Sequence, residues 1–417
     1  MVRLLHTADW HLGQTLMGWS RDGEHAAALA AVVDVAEARA VDAVIVAGDV
    51  FDTQSPTRTA EGLLFSTLGA LRRRLPRVTI VVTAGNHDPA GRLEAPHPLL
   101  AELGVHVVGS VAHRGGAIDL DRHLVTVTAA DGDTVHVLAL PYLGPAALPP
   151  IDRRGEAAGS PVARAVQSFH ETAVAAARAR IGAAPLVVTG HLAVAGGLES
   201  EGAERRILIG GEHAVPTDVF GRDLAYVALG HLHRAQSIGG ERIRYAGSLF
   251  PLSATERDYD HGVTLVEIAA GTTRVEHVPL PRPAPFLRLP PRGAAAPDEI
   301  EALVAAMVAE RGLDADTPLD RRPFVQFSVR LDGPAPNLKA DLDRIAAARP
   351  IRFVGHLVDR PTAAATDPDA SEPVDLADRD PADLFRLAFA AEWGVEPSPA
   401  HLDVFALLVE DVRTTGG

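Results

Sequence analysis

The sequence of 417 residues contains no cysteine and a single lysine, Lys339. Without cysteine no disulfide framework can form, and any metal ion must be held by histidine, aspartate, glutamate or asparagine. The basic residues are almost all arginine, a bias that indicates a genome-wide preference more than selection for phosphate binding. The net charge of −15 does not indicate the basic surface that proteins usually need to bind nucleic-acid phosphates. If the chain binds nucleic acid, we expect a partner to supply much of the affinity.

Long apolar runs are missing as well. No segment of the sequence approaches the ~20 consecutive apolar residues needed to span a bilayer. The first residues, Val2-Arg3-Leu4-Leu5-His6, lack the basic stretch, apolar core and cleavage site of a signal peptide. Together with the absence of cysteine, this favours a cytoplasmic protein that has no contact with a membrane. The length predicts about two to three domains.

The first 270 residues alternate short β-branched runs with longer alanine-rich stretches, which predicts an α/β fold with helices on the faces of a layered sheet. Five runs are predicted to be buried strands: Val2–Thr7, Ala43–Ala47, Thr79–Thr83, Leu186–Thr189 and Tyr226–Leu229. Helices are predicted between the first three strands, over Glu24–Ala40 and Arg58–Leu75. The β-rich segment Gly116–Leu140 predicts hairpin strands around the turn Asp131-Gly132-Asp133.

The proline-rich stretch Pro279–Pro291 predicts a linker to a smaller unit. In that unit helices and strands alternate: helix Asp298–Arg311, strand Phe324–Leu331, helix Leu338–Ala347 and strand Ile351–Val358. The polar, acidic segment Pro361–Asp380 is predicted to be a flexible tether. Two short amphipathic helices should follow, because Asp380-Pro381 and Ser398-Pro399 each place an N-cap before a proline at the first helical position.

We therefore expect a first domain over residues 1–278, a small α/β domain over 279–359, a linker over 360–380 and terminal helices over 381–417. In the two terminal helices the apolar residues fall at helical spacing. They are Leu384, Phe385, Ala388 and Phe389 in the first helix, and Leu402, Phe405, Leu408, Val409 and Val412 in the second.

Five polar clusters each follow a predicted strand. They are Asp9-Trp10-His11, Gly48-Asp49-Val50-Phe51-Asp52, Gly85-Asn86-His87-Asp88, Gly190-His191 and Gly230-His231-Leu232-His233. Ligand sites of open α/β sheets lie beyond the carboxyl ends of the strands, so these clusters should converge. Their histidines and carboxylates suit manganese, iron or zinc, and not calcium. They offer enough ligands for two ions sharing one carboxylate, and two such ions about 3.5–4 Å apart can promote in-line displacement at phosphorus.

Each cluster by itself has an ordinary structural explanation. An isolated Asp-x-His or His-x-His motif is common without function, and Gly-Asp and Gly-Asn are ordinary turn formers. The occurrence of all five in order, each at the end of a strand, favours a metal site over coincidence. The remaining histidines are expected to face solvent or to be hydrogen-bonded.

The five clusters resemble the signature of the calcineurin-like metallophosphoesterases. Three longer strings, over residues 5–13, 46–53 and 228–236, are similar to the SbcD family in particular. The resemblance covers nearly the whole chain. It implies a layered metallophosphoesterase β-sandwich flanked by helices in the first domain, a capping domain over residues 279–359 and partner-binding helices at 381–417.

The resemblance also implies a role for each polar residue. Asp9, His11 and His233 would hold one metal ion. Asn86, His191 and His231 would hold the other, and Asp49 would bridge the two. His87 would face the scissile phosphate and stabilise or protonate the leaving oxygen. Asp52 would hydrogen-bond His87 and raise its basicity, the alternative being a surface aspartate that caps the next helix; manganese is the expected metal.

Two departures bear on the choice of family. Protein phosphatases of the superfamily continue after the second aspartate with Arg-Gly, whereas Asp52 is followed by Thr53-Gln54; this favours the narrower resemblance. The stretch Glu204-Arg205-Arg206 resembles an SbcD segment near substrate, so Arg205 and Arg206 are expected to bind substrate. The second departure is His261, since SbcD-like chains tend to have lysine before the glycine that is Gly262 here. It concerns a possible phosphate contact and not the metal site.

Two functions from different classes fit these features. The first is a DNA nuclease with exonuclease and endonuclease or hairpin-opening activity, acting in DNA repair, recombination and replication as a homodimer. It would work with an SbcC-type ATPase whose coiled coil docks on the terminal helices. The second is a stand-alone phosphodiesterase or phosphatase for small phosphate esters, which would need only the first domain. A non-catalytic scaffold is disfavoured because every ligand position is filled.

Overall fold

The fold is taken from a computed structural model of the chain. The structure describes residues 1–144, 147–149, 160–199, 214–221, 223–269, 271–360, 380–393 and 395–415, without the side chains of 391, 392 and 410–415. The chain divides into two compact units. The first consists of Met1–Phe286 and Pro318–Phe324, and the second of Leu287–Thr317 and Val325–Gly417.

Two six-stranded sheets form the centre of the first unit. Its strands are, in chain order, β1 (Val2–Thr7), β2 (Ala43–Ala47), β3 (Thr79–Thr83), β4 (Val105–Val108), β5 (Leu124–Thr128), β6 (Thr134–Leu138), β7 (Leu186–His191), β8 (Tyr226–Gly230), β9 (Gln236–Ser237), β10 (Ile243–Tyr245), β11 (Gly262–Ala269) and β12 (Thr272–Pro279). The first sheet has the order β12-β11-β1-β2-β3-β4, and the second has the order β9-β10-β8-β7-β6-β5. Two-residue hairpins at Thr15–Leu16 with Trp19–Ser20, and at His113–Arg114 with Ala117–Ile118, stand apart from both sheets.

The helices of this unit cover the outer faces of the sheets or connect their strands. They are α1 (Asp22–Ala38), α2 (Arg58–Arg74), α3 (Ala90–Glu94), α4 (His97–Ala101), α5 (Leu120–His123) and α6 (Pro161–Ile181), with short 3-10 helices at Thr217–Phe220, Ala254–Glu256 and Leu319–Arg321. The start of α2 is fixed by Thr57, whose side-chain oxygen accepts a hydrogen bond from the N–H of Ala60. Three arginines in its last turn interact favourably with the negative end of the helix dipole.

Three apolar layers hold the first unit together. The central layer lies between the sheets and contains Val2, Leu4, Ile45, Val81, Val137, Val187, Tyr226 and Val266. A second layer joins the first sheet to α1 and α2, and a third joins the second sheet to α6. Burying one such aliphatic side chain contributes about 1.5–3 kcal/mol, so the order helix, sheet, sheet, helix is dictated by burial. The expected β-sandwich flanked by helices is thus confirmed.

Strand direction brings the carboxyl ends of several strands to one edge. In the first sheet β1 pairs in parallel with β2, and β2 with β3, where Ala47 stands opposite Thr83. In the second sheet β7 pairs in parallel with β8, where His191 stands opposite Gly230. The prediction of β1, β2 and β3 is confirmed to the residue. Strands β7 and β8 run two residues and one residue further than predicted, so His191 is itself part of a strand.

The second unit is built around a three-stranded sheet. Its strands β13 (Phe286–Leu289), β14 (Phe324–Arg330) and β15 (Arg352–Asp359) lie in that order, although β13 and β14 each begin with a residue of the first unit. Helices α7 (Ile300–Glu310), preceded by a 3-10 turn at Pro297–Glu299, and α8 (Leu338–Ala347) contribute to the core beside this sheet. Its buried apolar side chains include Ile300, Val304, Val325, Phe327, Val329, Leu342 and Ile345.

The terminal helices are α9 (Pro381–Trp393) and α10 (Pro399–Thr415), and both begin at the predicted prolines. The rings of Phe385 and Phe405 stack with centroids 4.3 Å apart, which pairs the two helices. Trp393 lies against the core of the second unit. Among the described residues, no helix combines the length and apolar character that crossing a membrane requires.

Two predictions need correction. Pro279–Pro291 is not simply a linker, because it contains β13, in which the buried side chains of Phe286 and Leu289 outweigh the helix- and strand-breaking effect of the flanking prolines. The segment Gly116–Leu140 does form the β5–β6 hairpin, but the short helix α5 precedes it. The predicted tether at 361–379 lies outside the described residues.

Candidate metal centre

The first two polar clusters follow β1 and β2 as a pair of adjacent loops. The N–H of Asp9 donates to the carbonyl oxygen of Gly48 at 3.1 Å, and the N–H of His11 donates to that of Asp49 at 3.0 Å. Asp9, His11 and Asp49 have φ values of 52°, 48° and 49°, in the left-handed region, and His231 has a φ of 103°. Each such residue costs about 1–3 kcal/mol. Strain of this kind persists where the surrounding structure fixes it, and here it turns four polar side chains inward.

Two glycines allow the loops to approach one another. A Cβ atom on Gly85 would stand 2.1 Å from Oδ1 of Asp49. A Cβ atom on Gly230 would stand 1.9 Å from the carbonyl oxygen of Ala47, at the end of β2. Any side chain at these positions would therefore force apart the loops that carry the clusters.

Asp9, His11 and His233 form the first group of candidate ligands. One potential ligand atom from each lies within 4.8 Å of the others, and all three residues are buried. Oδ1 of Asp9 accepts a hydrogen bond from the N–H of His231 at 2.9 Å, whereas Oδ2 of Asp9 is buried without a partner. Nε2 of His11 is buried without a hydrogen-bond partner as well. Orphaned polar atoms of this kind are costly unless they serve a ligand.

Asp49 lies between this group and a second one. Its Oδ2 atom is 3.6 Å from Nε2 of His11 and 3.2 Å from Nε2 of His191. Nε2 of His191 also lies 3.0 Å from Oδ1 of Asn86. The ring of His231 is in edge contact with that of His191, with centroids 5.4 Å apart. The structure thus brings together all seven predicted ligands, with Oδ2 of Asp49 in contact with both His11 and His191.

A hydrogen bond at Nδ1 fixes the orientation of three of these imidazoles. The acceptor is the carbonyl oxygen of Ala47 for His191, at 2.9 Å. It is a carboxylate oxygen for the other two: Asp52 for His11, at 3.2 Å, and Glu256 for His233, at 2.9 Å. With Nδ1 engaged, each ring offers Nε2 as a ligand atom, which is the usual arrangement behind a metal-bound histidine.

Burial and charge control the protonation of the site. Burial raises the pKa of Asp9 to about 6 and lowers the pKa of His231 to about 3. Burial alone would raise the pKa of Asp49, but the adjacent imidazoles, that of His191 foremost, outweigh it and hold that pKa below its usual range. The same carboxylate raises the pKa of His191 against the effect of burial. A divalent cation would take the place of the proton on His191, because metal ligands must be deprotonated.

His87 lies beside this cluster with its ring in edge contact with His11, at a centroid distance of 4.8 Å. The main-chain N–H of His87 donates a hydrogen bond to Oδ1 of Asp49 at 2.8 Å. The predicted bond between Asp52 and His87 takes a different form: Nδ1 of His87 lies 2.8 Å from the main-chain carbonyl oxygen of Asp52, while the carboxylate of Asp52 is bonded to His11. The reason is that the loop after Asp49 directs this carbonyl, and not the side chain, at His87.

Two further residues organise the site and were not assigned a role from the sequence. The buried carboxylate of Asp88 accepts hydrogen bonds from the N–H groups of Val50, Phe51 and Gly85, at 3.1, 2.8 and 2.7 Å, and so ties two ligand loops together. Its place in the Gly-Asn-His-Asp cluster was the only available signal. Glu256 is fully buried behind His233, and nothing in its sequence context marks it.

The remaining candidates are Arg205, Arg206 and His261. Arg205 and Arg206 lie outside the described residues. His261 is buried; its Nδ1 atom lies 3.1 Å from the carbonyl oxygen of Ser248 and its Nε2 atom 3.1 Å from that of Glu256. It therefore supports the loop that carries Glu256.

Comparison with known families agrees with this geometry. The family model described as calcineurin-like phosphoesterase matches residues 2–235, and one described as type 5 capsule protein repressor C-terminal domain matches residues 282–392. The first match includes all seven candidate ligands and the strands that carry them. The first unit therefore has the fold of a calcineurin-like phosphoesterase.

Curated relatives narrow the assignment. The SbcD protein of nuclease SbcCD from Rhodobacter capsulatus is 49% identical over 391 residues, which are 93% of this chain and 94% of the relative. The proteins of the same name from Bacillus subtilis and Escherichia coli are 37% and 36% identical, over 65% and 68% of this chain and 67% and 70% of their own length. The chain therefore belongs to the SbcD family of calcineurin-like phosphoesterases.

Proposed function

We propose that this chain is a metal-dependent DNA nuclease that hydrolyses phosphodiester bonds as the SbcD component of an SbcCD-type complex. The observation that carries the proposal is the cluster of seven candidate ligands, six of them buried, in which Oδ2 of Asp9 and Nε2 of His11 have no hydrogen-bond partner. A catalytic phosphoesterase needs such a preformed set of donors, whereas a scaffold would have no reason to bear its cost. Family membership supports the same conclusion.

The donor set fits two divalent cations. Asp9, His11 and His233 would hold one ion. Asn86, His191 and His231 would hold the other, with Asp49 between them. When bound, such ions lower the pKa of a coordinated water and stabilise the charge on the phosphate oxygens. Mixed imidazole and carboxylate donors suit Mn²⁺, which we propose as the working metal.

The protein's own contribution to the reaction is positional and acid–base. The main-chain carbonyl oxygen of Asp52 accepts from Nδ1 of His87 and so directs Nε2 of that ring away from the loop. We assign His87 to the leaving oxygen of the scissile phosphate, which it stabilises or protonates. The hydrogen bond from the main-chain N–H of His87 to Asp49 holds this residue beside the candidate ligands.

The relatives are named as parts of SbcCD, and we extend that assembly to this chain. We propose that an SbcC-type ATPase docks its coiled coil on the terminal helices, that two copies of this chain pair, and that the complex acts on DNA in the cytoplasm. The net charge of −15 is consistent with a division of labour in which the ATPase supplies much of the DNA affinity. A stand-alone phosphatase for small esters is not favoured, since it would need no second unit.

The proposal is tested by cleavage of a linear DNA duplex with Mn²⁺, comparing wild type with Asp49→Ala, alone and with the ATPase. Hydrolysis of bis-p-nitrophenyl phosphate is measured in parallel. We expect Mn²⁺-dependent cleavage by wild type and none by Asp49→Ala, because the variant lacks the carboxylate between the two ligand groups. The exposed variant Asp298→Ala serves as control and should cut like wild type.

Other outcomes separate the parts of the proposal. If wild type hydrolyses the small ester but cuts no DNA even with the ATPase, the site is catalytic and the nuclease assignment is wrong. If Asp49→Ala retains cleavage, the bridging role of Asp49 is wrong.

A further inference from the structure

Glu256 lies on a 3-10 turn, Ala254–Glu256, far in sequence from the five metal-binding clusters. Its side chain is fully buried, and the hydroxyl of Ser253 donates to Oε1 of its carboxylate at 3.3 Å. Oε1 lies 2.9 Å from Nδ1 of His233, and Oε2 accepts a hydrogen bond from the N–H of Leu252 at 2.9 Å. A carboxylate so deeply buried is retained only where its hydrogen bonds offset the cost of desolvation.

The same carboxylate is linked to the loop that carries the other two ligands of the first group. The side-chain amide of Gln14 donates to the carbonyl oxygen of Leu252 at 2.8 Å, and Gln14 follows His11 by three residues. Arg21, which is buried, donates to the carbonyl oxygen of Pro251 at 2.6 Å. The loop over residues 249–256 is therefore held at two successive carbonyl groups, and Glu256 has little freedom to turn away from His233.

We infer that Glu256 is a positioning residue for His233, holding the proton on Nδ1 so that Nε2 faces Asp9 and His11 at one of the two metal positions. The inference rests on the proposed two-metal function and concerns the ligand geometry of that site. Its effect is confined to the ion held by Asp9, His11 and His233, because the corresponding bond of His191 runs to the carbonyl oxygen of Ala47.

Glu256→Gln is the sharpest variant because it keeps the shape and removes one acceptor. The carboxylate accepts from two N–H groups, and an amide has only one oxygen. If the amide oxygen faces Leu252, its NH₂ group meets Nδ1 of His233, which forces the proton onto Nε2 and blocks metal binding there. If the amide is reversed, two N–H donors meet at Leu252 and the loop is displaced.

The experiment is a Co²⁺ titration of the full chain followed by its visible absorption spectrum, with Mn²⁺ content checked by elemental analysis. Wild type, Glu256→Gln, Glu256→Asp and the exposed control Glu241→Gln are compared. We expect one of the two ions to bind about 10- to 100-fold more weakly in Glu256→Gln, with the other unchanged. Glu256→Asp should lose the same ion, because its shorter side chain keeps the charge but withdraws from Nδ1. Glu241→Gln should match wild type.

Wild-type affinity for both ions in Glu256→Gln would overturn the inference, and so would an equal loss at both positions, which would indicate general loosening. The tautomer of His233 in the metal-free wild type, read from imidazole ¹⁵N shifts, tests the idea even if the variants fail to fold. A proton on Nδ1 is expected, and a proton on Nε2 would contradict it. If wild type binds two ions in this way but cuts no DNA, the proposed function fails and the role of Glu256 stands.

Discussion

The edge of the first unit that carries the candidate ligands and the terminal helices of the second unit differ in which side chains they bury. At the edge, polar groups are buried and fixed: Asp49 and His191 are almost inaccessible, and three imidazoles are oriented by hydrogen bonds at Nδ1. On the terminal helices, large apolar side chains are exposed. Leu387, Val404, Leu407 and Leu408 are between 55% and 67% accessible. Stability alone would favour the reverse arrangement in both places.

Each region therefore contains an arrangement that is unfavourable for stability, and a function would explain why it is retained. We attribute the buried atoms that lack hydrogen bonds to bound cations, and we propose that a partner covers the exposed apolar residues of α9 and α10. The pairing of Phe385 with Phe405 uses one face of these helices, and Leu387 and Leu407, each two residues further along its helix, lie on the opposite face. Loss of one region should therefore affect chemistry without assembly, and loss of the other should affect assembly without chemistry.

Deleting residues 380–417 should produce the largest change. We expect complete loss of binding to an SbcC-type ATPase, because both terminal helices are removed, with unchanged hydrolysis of bis-p-nitrophenyl phosphate and unchanged metal content. Pull-down, ester hydrolysis and elemental analysis provide the readouts. Asp49→Ala is the reciprocal control, which should bind the ATPase and hydrolyse nothing. Retained ATPase binding by the truncated chain would show that the docking surface lies elsewhere.

His87→Ala should lower DNA cleavage by about 10²- to 10⁴-fold, the usual contribution of a positioned acid–base group. Both metal ions should remain, because the side chain of His87 is adjacent to the ligands without being assigned to either ion. Cleavage rate and elemental analysis are measured on the same preparation. Loss of a metal ion would make His87 a ligand and overturn its assigned role.

Leu407→Ser should weaken ATPase binding by about 2 kcal/mol, or roughly 30-fold, if Leu407 is one of the anchors of the docking surface. The side chain of Leu407 is 67% exposed, so little change in thermal unfolding is expected. Leu319→Ser is the matched control, an exposed leucine outside the terminal helices. Equal effects of the two substitutions would contradict a specific role for α9 and α10.

Much of this contrast could be predicted from the sequence, and the reasons are physical. Strand β2 is a continuous apolar run, β1 and β3 are short runs rich in leucine, valine and isoleucine, and a polar cluster follows each, so both their bounds and the convergence of their ends follow from pattern. The start of α9 follows from Asp380-Pro381, because proline fixes the first helical position. Strand β13 was not predicted because the flanking prolines indicate a linker, although Phe286 and Leu289 between them are buried.

Features that depend on three-dimensional loop geometry could not be predicted. Nothing in the sequence shows that Asp9, His11 and Asp49 adopt left-handed backbone conformations, since these residues are compatible with other turns. Glu256 lies 23 residues beyond His233, and only the folded loop brings their side chains together. The partner of Asp52 was misjudged for the same reason, because sequence spacing does not distinguish a side-chain acceptor from a main-chain one.

Asp52→Asn tests that last point and should have the smallest effect. If the carboxylate supports His11, as the 3.2 Å contact indicates, affinity for one metal ion should fall by about tenfold, the low end for such a partner, because Asp52 is 28% exposed and water can substitute. The main-chain carbonyl that accepts from His87 is untouched, so cleavage at saturating Mn²⁺ should be preserved. Unchanged metal affinity with a lower maximal rate would instead restore the pairing of this carboxylate with His87.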